Sequence, residues 1–240
     1  MKKLLQILTL FFLLPHVGAA KEPLPFLHKN AVILFQGDSI TDGGRWRAGS
    51  DFNHIMGQDY AYILAAEIGY RSPERNLTFI NRGVGGNRVP NLAVRWQKDT
   101  LEIRPNLLSI LVGINDALST TPETAEEFES IYDHLLAQTI AALPTVKIVL
   151  GEPFVLPVGK HKETYSHDLA KVRKMQKAVE WLGAKYHLPV IHYQQEFDEA
   201  CKRAPADHWS WDGVHPTYAG HALMAMDWLR TVDSFWGKKH

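Results

Sequence analysis

Four short segments carry residues able to move a proton or hold an oxyanion. The first is Gly37-Asp38-Ser39-Ile40-Thr41-Asp42-Gly43-Gly44, where a serine stands among glycines directly after an apolar run. A serine on a tight strand-to-helix turn can act as a nucleophile with its own N–H facing the reacting carbonyl oxygen. The same residues also suit a plain capping turn, with Ser39 or Thr41 satisfying a helix start. A phosphate cradle is disfavoured, because the P-loop lysine is missing and no G-x-G-x-x-G opens the helix. The second segment, Asn81-Arg82-Gly83-Val84-Gly85-Gly86-Asn87-Arg88, can offer the Gly86 N–H to an anion. The third, Gly113-Ile114-Asn115-Asp116, can offer the Asn115 amide, although glycine turns and an Asx turn account for each segment taken alone. The fourth is Trp209-Ser210-Trp211-Asp212-Gly213-Val214-His215-Pro216. Its Asp212 carboxylate can meet the Nδ1 of His215, fixing the tautomer and stabilising the imidazolium formed when the ring accepts a proton. Asp51 and His54 share that spacing, but no helix start follows them.

Elements that would bring these segments together are visible in the hydrophobic pattern. Five runs read as strands: Ala31 to Gln36, Leu77 to Asn81, Leu107 to Val112, Val146 to Leu150 and Pro189 to His192. The first, third and fourth are nearly continuous apolar runs, as in strands buried on both faces. Helical periods lie between them, near Asp59 to Ile68, Val89 to Thr100, Thr124 to Ala142 and Thr164 to His187, with a last helix from Pro216 to about Leu229. Thr121-Pro122-Glu123 suits a helix start and Gly69 a helix stop. Such alternation predicts an α/β domain with a parallel sheet covered on both faces, whose carboxyl edge gathers ligands. All four segments fall at that edge. A serine, two oxyanion donors and an Asp–His pair in one place point to one hydrolytic site better than to four unrelated turns.

Gly-Asp-Ser at 37 to 39, Gly86, Gly113-x-Asn115-Asp116 and Asp212-x-x-His215 resemble, in order and separation, the four sequence blocks of the SGNH (GDSL-type) hydrolases. The resemblance covers about residues 31 to 228. It implies a three-layer α/β/α flavodoxin-like SGNH hydrolase fold with a five-stranded parallel sheet in order 2-1-3-4-5. It also implies that Ser39 is the nucleophile, His215 the general base and Asp212 its orienting acid. The oxyanion hole would be the Ser39 N–H, Gly86 and Asn115, and the acyl-enzyme route needs neither metal nor organic cofactor. The common α/β-hydrolase pattern G-x-S-x-G is missing. Arg95-Trp96 followed by Asp99, Glu152-Pro153 and the Asp-Gly-Val-His-Pro-Thr-Tyr-Ala-Gly-His run are similar to SGNH acetylesterases acting on xylan and related carbohydrates. A short-acyl esterase acting on an acylated carbohydrate or other small ester is the expectation. A lysophospholipase- or thioesterase-type member and a noncatalytic glycan-binding module on the same fold are the alternatives. Asp38, Arg45, Trp209 and Trp211 are the candidate substrate contacts, the tryptophans because their flat faces suit a sugar ring and Arg45, like Trp46, from its place after the nucleophile turn. Between Gly43 and Gly57 stand Arg45, Arg47, Asp51, Asn53 and His54 rather than the apolar lid of a lipase.

Composition sets the outer bounds. The chain has 240 residues, 45% of them hydrophobic, enough for one well-filled domain. Lys2 and Lys3, the apolar run from Leu4 to Leu14 and Val17-Gly18-Ala19-Ala20 follow the order of a secretory signal peptide, too short to span a bilayer. We therefore expect a cleaved leader over 1–20, one hydrolase domain over 21–240 and a secreted or periplasmic destination without a stable membrane anchor. The full chain balances 26 basic against 26 acidic residues, and losing the two leader lysines leaves a net charge near −2. No basic field exists to bind nucleic acid. The single cysteine, Cys201, excludes an intramolecular disulfide and reads as a partly buried structural residue. Among the 12 histidines, His208, His215 and His221, or His161 and His167, are close in sequence but form no two-ligand helix motif, so no metal site is expected. Self-association is left open.

Overall fold

The computed structural model describes residues 22–237, and the leader expected over 1–20 lies outside the described residues. Five parallel strands, β1 (Val32–Gly37), β2 (Thr78–Asn81), β3 (Leu107–Leu111), β4 (Lys147–Gly151) and β5 (Val190–Ile191), form one sheet in the order β2-β1-β3-β4-β5. The register pairs Phe35 with Asn81 and with Ser109, and Leu111 with Gly151, so the strand ends that carry the chemical segments finish side by side. Every residue of β3 is buried, which is why its sequence shows no alternation.

Helices cover both faces. After the short α1 (Ser39–Asp42) come α2 (Tyr60–Arg71), α3 (Val89–Trp96), which continues as a wider π turn over Gln97–Leu101, α4 (Ile114–Leu118) and α5 (Ala125–Ala142). Then follow α6 (His161–Tyr186), α7 (Tyr193–Ala200), α8 (Ala206–Trp209) and α9 (Tyr218–Trp236). One layer packs α3, α4, α5 and α6 against each other, and the other packs α2, α7 and α8 around α9. Two buried indoles tie elements together with their only polar atom satisfied. Trp228 Nε1 donates to Ser109 Oγ at 2.9 Å, tying α9 to the central strand, and Trp96 Nε1 donates to Thr139 Oγ1 at 2.9 Å, tying α3 to α5.

Two boundary signals are corrected. Helix α5 is capped by Thr124, whose Oγ1 accepts the Glu127 N–H while Glu127 reaches back to the Thr124 N–H. That reciprocal capping box prevails over the Thr121-Pro122 start. Helix α2 runs through Gly69 and ends at Ser72, because its buried face continues from Leu64 to Ile68 and the Ser72 N–H still finds the Ile68 carbonyl. Helices α7 and α8 were not anticipated.

Candidate active site

The first strand ends where Gly37 lets the chain turn, and the Asp38 side chain caps the short helix that starts at Ser39 by accepting the Ile40 N–H at 3.0 Å. Ser39 is thereby held on the sheet's carboxyl edge. Its Oγ lies 2.8 Å from His215 Nε2, a residue 176 positions later in the chain.

His215 is oriented by its own loop. Asp212 Oδ2 is 2.7 Å from His215 Nδ1, and Asp212 Oδ1 accepts the backbone N–H groups of His215 (2.7 Å) and Val214 (2.9 Å). Burial pushes the Asp212 carboxyl upward, but the His215 N–H, the imidazole and the Val214 N–H outweigh it and hold the group below its ordinary value. The loop is closed by Ser210 Oγ donating to the His215 carbonyl at 2.8 Å and by the Trp211 N–H donating to the same oxygen. Gly213, at φ +97°, makes the turn; a Cβ there would lie 2.6 Å from the Leu156 carbonyl oxygen. The exposed Trp211 ring stacks on His215, centroids 5.3 Å apart and planes within 14°.

Three donors face the same edge. In the loop after β2, Gly83 N–H is taken by Asn81 Oδ1, Val84 N–H by the Gly37 carbonyl, Gly85 N–H by Asp42 Oδ2 and Asn87 N–H by the Val84 carbonyl. Gly86 alone, at φ +76°, keeps its N–H without an acceptor among the described residues. The Ser39 N–H is likewise unclaimed among them. Asn115 Nδ2 donates one proton to the Asn87 carbonyl at 3.2 Å, which orients the amide and leaves its second proton free. In the same turn Asp116 is fully buried, its Oδ1 accepting the Val89 N–H at 2.8 Å.

Not every candidate sits where a ligand can touch it. Asp38 is 1% exposed and serves as the cap just described, with burial raising its pKa to about 7. Trp209 is buried against α9, its Nε1 donating to the Ala204 carbonyl at 3.3 Å, so it packs rather than presents a face. Trp211 and Trp46 are exposed, and Arg45 Nε donates to the Gly83 carbonyl at 3.0 Å beside the Ser39 turn. Asp51 and His54 pair at 2.9 Å, but in an exposed loop outside this cluster. Cys201 is half-buried, and burial raises its thiol pKa. Among the described residues, the grouping of three metal-competent side chains is Glu152, Glu180 and His192, which includes none of the histidines singled out by sequence proximity.

Two supporting residues escape a reading by chemistry alone. Asp42 accepts the Gly85 N–H at 3.0 Å and a short contact from Arg47, fixing the loop that carries Gly86. Arg95 ties the same loop to β1: it donates to Asn87 Oδ1, Gln36 Oε1 and the Arg82 carbonyl at 2.8–2.9 Å, and to Asp99 and the Gly37 carbonyl at 3.2 Å. The Arg95–Asp99 spacing of four was the available signal.

A model of the GDSL-like lipase/acylhydrolase family matches residues 35–223. An acetylxylan esterase of Geobacillus stearothermophilus is 28% identical over 214 residues, covering 85% of this chain and 94% of the relative. Its crystal structure is similar with a TM-score of 0.75 at 27% identity, over 85% of this chain and 95% of the other. A structure from Parabacteroides merdae named as a GDSL-like lipase gives a TM-score of 0.80 at 36% identity, over 86% of this chain and 97% of the other.

Proposed function

Because the chain belongs to the GDSL-like lipase/acylhydrolase family and is a carboxylic ester hydrolase, we propose that it removes acetyl groups from an acylated carbohydrate such as a xylan oligosaccharide, with Ser39, His215 and Asp212 as its triad. The observation that carries this reading is the unbroken relay from Ser39 Oγ to His215 Nε2 and from His215 Nδ1 to Asp212, beside the Ser39 and Gly86 N–H groups, which have no acceptor among the described residues, and the second amide proton of Asn115. Ser39 Oγ attacks the ester carbonyl carbon as its proton passes to His215 Nε2. The carbonyl oxygen becomes an oxyanion held by the Ser39 N–H, the Gly86 N–H and Asn115 Nδ2. Collapse expels the sugar alkoxide, which takes the proton from His215, and leaves acetyl-Ser39. Water then loses a proton to His215 as it attacks the acyl carbon, and acetate departs with Ser39 restored.

The short-acyl, carbohydrate part of the reading rests on the acetylxylan esterase relative and on Trp211, an exposed flat ring stacked on His215. Residues 21–240 form, in this reading, one hydrolase domain, and the basic, apolar and small-residue order of 1–20 directs it to the periplasm or medium. No helix among the described residues is long and apolar enough to cross a membrane. The deciding experiment combines fluorophosphonate labelling with acetate release from acetylated xylan, acetylated pectin fragments, sialic acid esters, p-nitrophenyl acetate and longer-chain esters. Labelling mapped to Ser39 and acetate release from xylan fragments are expected. A preference for long acyl chains would favour a lysophospholipase-like enzyme, and no labelling would favour a noncatalytic module.

A further inference from the structure

We propose that the rim beside Ser39 binds a carboxylate through Arg45, Arg47 and Arg82, so that the preferred glycan carries a uronic acid next to the ester it loses. This rests on the esterase reading above and adds a charge to its substrate.

Arg45, Arg47, Arg82 and Arg95 lie close enough to act on one another electrostatically, in a chain whose formal net charge is zero. The carboxylates placed among them are Asp42 and Asp99, leaving two positive charges in excess. Like charges gathered on a rim cost folding energy, and surface ion pairs return little of it. Arg95 has a structural explanation, since its donors are taken by five acceptors in β1 and the loops after it. The other three are held through one nitrogen or one loose ion pair each and keep donors in reserve. Only 8% of the Arg45 side chain is exposed, and its single hydrogen bond runs from Nε to Gly83, so its two terminal nitrogens have no partner among the described residues. Asp42 Oδ1 stands 3.9 Å from its Nε, yet burial, followed by the charge of Arg47, still lowers the Arg45 pKa. The Arg47 side chain is 52% exposed and held through one nitrogen by Asp42, and that of Arg82 is 38% exposed with Asp99 no nearer than 3.8 Å.

These donors stand one contact away from the reacting atoms. Asp42, which holds Arg47, also holds the Gly85 N–H, and a Cβ built on Gly85 would lie 3.9 Å from that of Ser39. Arg45 grips Gly83 in the same loop, and a recess of about 220 Å³ lined by Gly44, Trp46, His54 and Gln58 opens beside it. Planar guanidinium groups with paired N–H donors match a carboxylate, and charge-assisted bonds of this kind are the stronger ones. A neutral sugar would leave them unused.

The test is calorimetric titration of the full protein with xylo-oligosaccharides that carry a glucuronic acid branch and with unbranched ones of equal length. The branched sugar is expected to bind about tenfold more tightly, in line with one or two charge-assisted hydrogen bonds. The margin should shrink in about 0.5 M NaCl, where exposed charges are screened. Arg47→Gln and Arg82→Gln should each cut the branched-to-unbranched ratio about threefold or more, with circular dichroism verifying the fold. Equal affinities, no binding of either sugar, or a preference that survives both substitutions would overturn the proposal. Hydrolysis of p-nitrophenyl acetate, a neutral ester, is followed in parallel. Its presence without a uronate preference removes only this inference, whereas its absence removes the esterase reading.

Discussion

At the scale of single residues, Asp212 has two separable duties. One oxygen fixes the loop through two backbone N–H groups and the other faces the imidazole, so Asp212→Asn should keep the loop while presenting the wrong partner to Nδ1. Turnover of p-nitrophenyl acetate is expected to fall about 10⁴-fold with little change in Tm, the signature of a lost tautomer rather than a lost fold. With Asn115 as a proposed oxyanion donor, Asn115→Ala should lower kcat about 10² to 10³-fold with KM nearly unchanged. A similar fall in kcat/KM arising wholly from KM would assign Asn115 to ground-state binding instead. The gathering of these residues at one sheet edge was legible from sequence because each sits in a short turn directly after a strand or before the last helix. Asp38 and Trp209 misled because they occupy the same turns with their side chains turned inward, and burial depends on what packs above them. Nothing local distinguishes Trp209, under α9, from Trp211, two residues on and exposed.

Elements hold these residues at working distance, and here the chain's turns matter more than its helices. Gly213 stands between Asp212 and His215 with φ +97° and the Leu156 carbonyl directly where a side chain would project. Gly213→Ala must push either that carbonyl or the Asp–His turn aside, so activity should drop at least about tenfold with a stability loss of about 1–3 kcal/mol. Full activity in that variant would mean the loop has slack that the Ser210, Leu156 and Trp211 hydrogen bonds argue against. Trp228→Ala, far from the site, should cost about 3–5 kcal/mol in denaturant unfolding, through the cavity left beneath α9 and the lost bond to the Ser109 hydroxyl. The strands were legible because β1, β3 and β4 are nearly continuous apolar runs, as a sheet covered on both faces requires. Helix α7 was not, because Tyr193 and Phe197 are the large apolar residues in YQQEFDEA, too few for a period to show. The α5 range from Thr124 to Ala142 was legible, whereas the Thr121-Pro122 signal three residues earlier goes unused, because only Thr124-x-x-Glu127 closes both of its hydrogen bonds.

Across the whole molecule, convergence creates properties that no segment has. The rim arginines come from the loop after α1, the end of β2 and helix α3, and their closeness depends on the sheet order. Convergence also buries acids: burial above all raises Asp38 and Asp116 to about 7 and Asp59 to about 8, from 3.8. In each case the folded chain keeps a proton that the unfolded chain has already lost. Their stabilising effect is therefore complete below pH 3.8 and declines as pH rises toward 7 or 8. His221 acts in the opposite sense. Burial, then the neighbouring His215, lowers it from 6.5 to about 4, so its contribution is present above pH 6.5 and is lost as pH falls toward 4. With three carboxyls against one imidazole, stability should fall between mildly acid and mildly alkaline pH. Asp116 isolates the effect, since its Oδ1 accepts the Val89 N–H while its buried Oδ2 has no partner among the described residues. An amide fits there without a charge to desolvate, so Asp116→Asn should flatten the decline, its Tm gaining on the wild type with each step from pH 5 to 8. Parallel Tm curves for the two proteins would mean that Asp116 ionises as readily folded as unfolded, and that the pH dependence lies in Asp38 and Asp59.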